Sequence, residues 1–205
     1  MKISKIEPSK HKKERILIHT EEGGLLRITE RELLQFGLYA GMELPPELAK
    51  ELEKVAKKSE RRIYAANLAS KRLISEREIA RKLKDRGADE EETAEIVEWL
   101  ADLGAIDDAA YAETIVRHYA AMGCGKGRVE QELYRHGIPK PLWEQALALL
   151  PDPAEAIEKF LQSKLKGQSP DRETSRKLSA ALQRRGFCWN DIRAVLNQMG
   201  QEIEA

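Results

Sequence analysis

The chain has 205 residues, of which 41% are apolar, 5% aromatic and 34% charged, and its 35 basic and 35 acidic side chains cancel. This length is sufficient for one ordinary domain or for several small packed units, and the composition favours helices with wide solvated faces. Collagen-like, mucin-like and disordered chains are excluded. Because the net charge is zero, any affinity for nucleic acid must come from a local basic patch.

Neither a targeting signal nor a cysteine motif is recognisable in this sequence. The first fifteen residues contain no apolar segment typical of a signal peptide, and no window approaches the ~20 apolar residues that a membrane span requires. The two cysteines, Cys124 and Cys188, have neither the CxxC spacing of a metal site nor the density of a disulfide scaffold. We therefore expect a soluble cytoplasmic protein with reduced thiols.

Residues 1–44 are predicted to form a small β element. Two aliphatic runs, residues 15–19 and 25–28, flank the segment 21–24 with its two glycines, which is typical of a β-hairpin. Residues 2–6 are a candidate third strand. This element differs from the rest of the chain, where the strong signals are helical.

A short helix is predicted to follow the hairpin, because Thr29 and Glu32 form a capping box and Gly37 is a suitable stop. Pro45–Pro46 then marks the boundary of the element. A long helix is expected from about residue 46 to residue 71. Its predicted inward residues are Leu48, Leu52, Val55, Tyr64 and Leu68.

The helical part repeats, as three glycines show: Gly87, Gly137 and Gly186 are 50 and 49 residues apart. Five columns aligned on these glycines are apolar in all three repeats, which predicts an internal structural repeat. The columns are Ile79, Val129 and Leu178; Leu83, Leu133 and Leu182; Ile96, Ala146 and Val195; Val97, Leu147 and Leu196; and Leu100, Leu150 and Met199.

Each repeat is predicted to contain two helices, a glycine C-cap and a third helix. Ser75 and Glu78 form a capping box before the second helix of the first repeat. A three-helix unit of this size buries little surface alone, so the fold class is mainly α, with three repeats stacked in an elongated curved array. The predicted domains are the β element, residues 1–44, and three helical repeats, residues 45–108, 109–152 and 153–205.

The segment Gly123–Gly127 invites comparison with a phosphate-binding loop, because glycines let backbone amides approach an anion. The match to a Walker A motif fails, since Gly127 follows Lys126 where Ser or Thr is required, and a helical stretch precedes the segment. We interpret it as a turn between two helices, with Lys126 and Arg128 free to meet phosphate or a protein acid.

The sequence offers no convincing catalytic group. The histidines at positions 11, 19, 118 and 136 are scattered, and no serine has the context of a nucleophile elbow. Asp107–Asp108 is better explained as a helix N-cap than as a carboxylate pair. We therefore predict no enzyme activity, no catalytic residue, no metal and no cofactor.

Charge is unevenly distributed along the chain. Residues 54–86 contain twelve Lys or Arg against four Asp or Glu, whereas residues 88–114 contain ten acids and no base. Solvated helix faces are one explanation, and an interaction surface for a charged polymer is the other. The candidate partner-facing or DNA-facing residues recur near comparable ends of the repeats: Arg61, Arg62, Lys71, Arg72, Lys126, Arg128, Arg184 and Arg185.

Several segments together resemble the RecX family of recombinase regulators. The first signature block is carried by Ser75–Ile79 with Lys82 and Leu83, by Trp99–Asp108, and by Tyr111 with Ala112. The second and third blocks are carried by Gly125–Gly127 with Leu133, Gly137 and Ile138, and by Arg184–Phe187 with Val195 and Leu196. The resemblance covers about residues 60–200.

The chain departs from the family pattern at two places. Ala105 stands where an aromatic residue is usual, and the third repeat contains Pro170 within a longer polar insert. The amino-terminal hairpin resembles an extension seen in some longer members.

The resemblance implies a non-enzymatic protein that binds the groove of a RecA filament on single-stranded DNA and inhibits its recombinase and ATPase activities, in DNA repair, homologous recombination and the SOS response. An array with basic and acidic faces would gain from repeated weak contacts. Two alternatives stay open: a helix-turn-helix-like DNA-binding regulator and a purely protein-binding helical scaffold. The segment 186–190 offers only Asn190 for reading base edges.

Overall fold

The computed structural model describes residues 1–10, 15–165 and 171–199, which are mainly helical with a small antiparallel sheet near the amino terminus, as predicted. His11 and Pro170 lie outside the described residues. The chain divides into two compact units. Unit 1 comprises Met1–Arg72 with Ile79–Ala105, and unit 2 comprises Leu73–Glu78 with the described residues from Ile106 onward.

The amino-terminal sheet has three antiparallel strands in the order β1 (Ile3–Pro8), β2 (Ile16–Thr20) and β3 (Leu25–Ile28). The hairpin between β2 and β3 turns through Gly23, which has a φ of +81° that favours glycine. The Gly24 amide donates to the Thr20 hydroxyl over 2.9 Å. The predicted hairpin and third strand are both confirmed.

Helix α1 (Glu30–Gln35) begins at the predicted capping box. The Glu32 amide donates to the Thr29 hydroxyl over 3.2 Å, and the Thr29 amide donates to the Glu32 carboxylate over 2.7 Å. The helix ends before Gly37, which has a φ of +58°. The sequence signals at both ends of this helix are confirmed.

Helix α2 (Pro46–Ala69) is 24 residues long and packs against both β3 and a later helix, α4 (Glu90–Asp102). Arg15 strengthens the attachment of the sheet, because its buried guanidinium donates to the Arg27 carbonyl and to the Ser59 hydroxyl of α2. The sheet and the first helical repeat therefore belong to one unit. The buried core under the sheet contains Ile3, Ile18, Ile28, Leu38, Leu44, Ala49, Leu52 and Ala56.

The inward face of α2 differs from the prediction. Of the five large residues expected to face inward, only Leu52 is fully buried, and the others are half-buried. Ala49, Ala56 and Ala65 are buried instead. Small side chains let helices approach closely, and the search for large apolar residues does not detect such positions.

Each repeat has the predicted second helix, glycine cap and third helix. Gly87, Gly137 and Gly186 have φ angles of +76°, +76° and +88°. In each repeat the amide after the glycine donates to the carbonyl five residues earlier, which closes the helix end. The helices after α2 are α3 (Glu76–Lys84), α4, α5 (Asp108–Ala121), α6 (Lys126–Arg135), α7 (Trp143–Leu147), α8 (Pro153–Leu165), α9 (Arg172–Arg184) and α10 (Trp189–Gln198).

The third helix of the second repeat is shorter than its counterparts. A 3-10 turn, Lys140–Leu142, precedes α7, which has only five residues. The ring of Pro141 disfavours α-helical backbone angles at the preceding residue, Lys140, so a regular α-helical start is disfavoured there.

The apolar repeat columns form the interior with one exception. Leu83, Leu133 and Leu182 are each 0% exposed, and the other columns are buried or half-buried. Met199 is 39% exposed at the C-cap of α10, so its expected place in the core is wrong. The three-helix repeats are confirmed, whereas the exact domain boundaries and the curved array stay predictions.

We expect Leu133→Ala to lower the free energy of unfolding by about 2 to 5 kcal/mol, because the side chain is fully buried and its removal leaves a cavity. Leu149→Ala is the control, since Leu149 is 43% exposed, and its loss is expected to be about 0.5 kcal/mol or less. Urea denaturation measures both changes. Equal effects would contradict the assignment of Leu133 to the core.

Candidate partner interface

Arg61 is mostly buried and is turned toward α4. Its side chain is 14% exposed, and its guanidinium donates two hydrogen bonds to the Glu92 carboxylate, one of them 2.7 Å long. Glu92 is only 9% exposed, so the pair is shielded from water. This contact holds α2 against α4, and the predicted partner-facing role of Arg61 stays a prediction.

Other cations of unit 1 also contact groups in the same unit. Two of these contacts are ion pairs with carboxylates, which balance part of the local charge, and two are cation–π contacts with aromatic rings. They are Lys58 with Glu95, Lys84 with Glu90, Arg62 at 3.9 Å from the Trp99 ring centroid, and Arg86 at 3.6 Å from the Tyr64 ring centroid. Sequence reasoning missed these pairs because helix periodicity does not give the register between two helices.

Lys71 and Arg72 follow Ser70, the C-cap of α2, and both side chains are exposed. Positive charge at this end of a helix is favoured by the helix dipole. Among the four predicted interface residues of unit 1, Arg62, Lys71 and Arg72 are exposed and Arg61 is not.

In unit 2, the predicted residues Lys126, Arg128, Arg184 and Arg185 come together at one joint. The Gly125 amide donates to the Arg185 carbonyl over 2.8 Å, and the Gly127 amide donates to the Gly186 carbonyl over 3.0 Å. We call this contact the second joint, because it connects the third repeat to the second. The Arg185 guanidinium also donates to the carbonyls of Met122 and Gly123.

The second joint explains the glycine-rich segment that resembles a phosphate loop. The Gly125 and Gly127 amides donate to backbone carbonyls of the third repeat, and the Gly123 and Cys124 amides donate to carbonyls of α5, so these four amides do not face an anion. A Cβ atom on Gly125 would lie 2.7 Å from the Gly186 carbonyl carbon, and a Cβ atom on Gly186 would lie 2.1 Å from the Arg128 nitrogen. The glycines therefore serve close backbone packing, and the interpretation of the segment as a turn is confirmed.

An equivalent contact, the first joint, lies one repeat earlier in unit 2. The Ser75 hydroxyl donates to the His136 carbonyl over 2.6 Å and accepts from the Glu78 amide over 3.2 Å. A Cβ atom on Gly137 would lie 3.1 Å from the Arg77 side chain. At both joints a capping glycine thus lies against the first turn of a helix in the preceding repeat.

The two arginines of α6 contact one buried carboxylate. Glu132 is 3% exposed, and its two oxygens contact the guanidinium of Arg128 at 2.7 Å and that of Arg135 at 2.5 Å. Lys126 lies 3.9 Å from Glu130. Lys126 and Arg128, which the sequence analysis left free to meet phosphate or a protein acid, therefore contact acids on their own helix. Arg135 contacts the same carboxylate as Arg128, and the sequence analysis did not identify it.

Asp107 and Asp108 cap two different helices. The Asp107 carboxylate accepts from the Ala110 amide at the start of α5, as predicted, whereas the Asp108 carboxylate accepts from the Glu76 amide of α3 over 3.1 Å. Burial raises the pKa of the Asp108 carboxyl, against the opposing effect of the Glu76 hydrogen bond. The pair is structural, and Asp108 belongs to the first joint.

Metal-binding and membrane features are not found in the described part of the chain. Residues 1–10, 15–165 and 171–199 hold no group of three or more His, Cys, Asp or Glu that could bind a metal ion. Among the described helices, none combines the length and the apolar character needed to traverse a bilayer. Cys124 and Cys188 are free thiols.

We expect Gly186→Ala to destabilise the protein much more than Gly87→Ala. Both glycines have positive φ angles, so each alanine strains the backbone by about 1 to 3 kcal/mol. Only Gly186 lies against another backbone, whereas the space around Gly87 is open. Urea denaturation of the two variants measures the difference, and equal losses would contradict the close packing of the second joint.

Asp108→Asn is expected to change the pH dependence of stability. Because the native pKa is raised, the protonated carboxyl favours the native state, and this contribution falls as pH rises from about 4 through the native pKa. The free energy of unfolding of the variant relative to the wild type should therefore increase over that range and then stay constant.

Asp171→Asn is the control for this measurement, because the hydrogen bond with Thr174 lowers the pKa of Asp171. Its relative stability should change in the opposite direction as pH rises toward 4. Urea denaturation from pH 3 to pH 8 measures both variants. A pH-independent difference for Asp108→Asn would contradict the raised pKa.

Comparison with known proteins identifies the repeats. Residues 107–147 match the family model described as RecX, second three-helix domain, and residues 152–196 match that described as RecX, third three-helix domain. A crystal structure of regulatory protein RecX has a TM-score of 0.67 and 27% identity, covering 96% of this chain and 98% of that chain. A crystal structure of RecX from Lactobacillus salivarius has a TM-score of 0.60 and 26% identity, covering 70% and 97%.

Curated relatives match this chain over most of their own length. Regulatory protein RecX of Oceanobacillus iheyensis is 29% identical over 97% of this chain and 76% of its own. Regulatory protein RecX of Geobacillus kaustophilus is 32% identical over 92% of this chain and 73% of its own. With these matches added to the repeated three-helix architecture, the chain belongs to the RecX family of regulatory proteins.

Proposed function

We propose that this protein binds a RecA-type recombinase filament on single-stranded DNA and restrains its recombination and ATP hydrolysis. Family membership supports the regulatory class. The observation that carries the proposal is the convergence of Lys126, Arg128, Arg184 and Arg185 at the second joint, because it concentrates positive charge in a chain whose net charge is zero.

The exposed cations are proposed to contact phosphates or acidic groups of the filament. Lys126 is 68% exposed and Arg128 is 43% exposed, and Lys71 and Arg184 are also exposed. Arg61 is assigned a different part in this proposal, since its guanidinium is already bound to Glu92. It supports the exposed cations by holding α2 in place.

Binding without catalysis is sufficient for this mechanism. Several weak contacts made by one chain act together, because the first contact raises the effective concentration of the others. A regulator bound in this way would oppose the conformational changes of the filament that ATP hydrolysis and strand exchange require. Phosphate contacts would make the affinity depend on salt and not on base sequence.

We expect the double variant Lys126→Glu, Arg184→Glu to inhibit recombinase ATP hydrolysis on single-stranded DNA less strongly than the wild type, because both side chains are exposed at the second joint. If both residues contact single-strand phosphates, the salt dependence of log affinity should fall by about 1.4. The measurements are the inhibitor concentration for half-maximal effect and filament binding, each at several salt concentrations. Arg61 is left unchanged, because reversing it would bury two carboxylates side by side.

The double variant Lys5→Glu, Lys50→Glu is the control, since it changes net charge equally at side chains that are 62% and 75% exposed. It should inhibit like the wild type. Equal loss in both double variants would contradict a localised contact surface. A wild type that does not affect its cognate recombinase would contradict the proposed function, and binding to bare duplex alone would favour the helix-turn-helix alternative.

A further inference from the structure

Tyr134 is an exposed aromatic residue on α6, with 65% of its surface accessible to solvent. The buried side of this helix is formed by Val129 and Leu133, both 0% exposed. Tyr134 is therefore not needed for the core of the second repeat. Tyr111, in contrast, is 8% exposed and its hydroxyl is hydrogen-bonded to His136.

The nearest neighbours of Tyr134 by helical spacing are Gln131 and Glu130, and Lys126 lies 3.9 Å from Glu130. With 3.6 residues per turn, Arg128 and Arg135, which are seven residues apart, lie along the side of the helix that adjoins the face of Gly127, Gln131 and Tyr134. Gln131 and Arg135 are exposed. One regular helix thus carries an exposed aromatic ring and, on its adjoining side, two arginines.

The two guanidinium groups contact the same buried carboxylate. Glu132 contacts Arg128 with one carboxylate oxygen and Arg135 with the other. Each guanidinium carries five N–H donors, so the contact with one oxygen leaves donors for an anion. Side chains that are restricted before binding lose less entropy on binding.

We propose that the solvent face of α6 is a contact site for single-stranded nucleic acid, in which the Tyr134 ring stacks on one base and Arg128 and Arg135 bind flanking phosphates. This inference rests on the proposed function and assigns a ligand contact within it. Stacking on a side chain requires an unstacked base, which a single strand offers and a duplex does not.

The surroundings favour a polyanion over a protein partner. The helix and the adjoining second joint carry five cations and two carboxylates: Lys126, Arg128, Arg135, Arg184 and Arg185, with Glu130 and Glu132. Among the ten residues of α6, Tyr134 is the one large apolar side chain that is exposed. Protein-binding centres are typically apolar patches with several large side chains, whereas an isolated aromatic among cations is typical of single-strand binding.

The test measures binding of fluorescent oligo(dT) to the full chain by anisotropy, over a range of salt concentrations. Tyr134→Ala should weaken binding about 5- to 150-fold, and Tyr134→Phe should keep it within about twofold because the ring is retained. Arg135→Ala should lower the salt slope of log affinity by about 0.7, whereas Tyr134→Ala should leave the slope unchanged.

Tyr39→Ala is the matched control, because Tyr39 is 63% exposed and its sequence neighbours are Leu38 and Ala40. It should bind like the wild type. Thermal unfolding of each variant checks that the fold is intact. Loss of binding by Tyr39→Ala, wild-type affinity of Tyr134→Ala, or no saturable binding of oligo(dT) by the wild type would overturn the inference.

Recombinase inhibition, measured in parallel, separates this inference from the proposed function. If the wild type inhibits the filament and Tyr134→Ala binds oligo(dT) normally, the stacking site is wrong and the proposed function is retained. If the wild type binds oligo(dT) through Tyr134 without affecting the filament, the proposed function is wrong and the single-strand site is retained.

Discussion

The structure depends on a close backbone contact that only glycine permits. At the second joint, Gly186 lies against the first turn of α6, and any Cβ atom there would overlap the Arg128 nitrogen. The positive φ of Gly186 ends α9 and also aims its carbonyl at the Gly127 amide. One residue thus closes a helix, satisfies an amide of the preceding repeat and fixes the distance between two repeats.

The placement of the functional side chains follows from this contact. Arg184 and Arg185 precede Gly186, and Lys126 and Arg128 lie at the helix start against which it packs. Cations that are nearly 60 residues apart in the sequence therefore lie near one another. Such crowding is unfavourable unless acids or a polyanion compensate it, and the buried Glu132 supplies part of that compensation.

The sequence predicted the features that are encoded locally. Capping boxes, glycine stops and apolar periodicity located the helices, because these depend on residues within one or two turns. Contacts that depend on the distance between elements were not predictable, as the Arg61–Glu92 pair and the buried alanines of α2 show. The basic residues were found from their recurrence, but which were exposed and which were bound to acids required the structure.

Basic side chains are paired with acids to different extents in the two units. In unit 1, cations of the basic segment meet carboxylates of α4, and the least exposed of these pairs fastens the long helix. In unit 2, the positive groups gathered at the second joint exceed the carboxylates of α6. A chain with zero net charge avoids a long-range field that would attract every polyanion. It can nevertheless present a local positive surface. When a ligand docks in direct contact with this surface, salt screens the attraction less than it screens the attraction between distant charges.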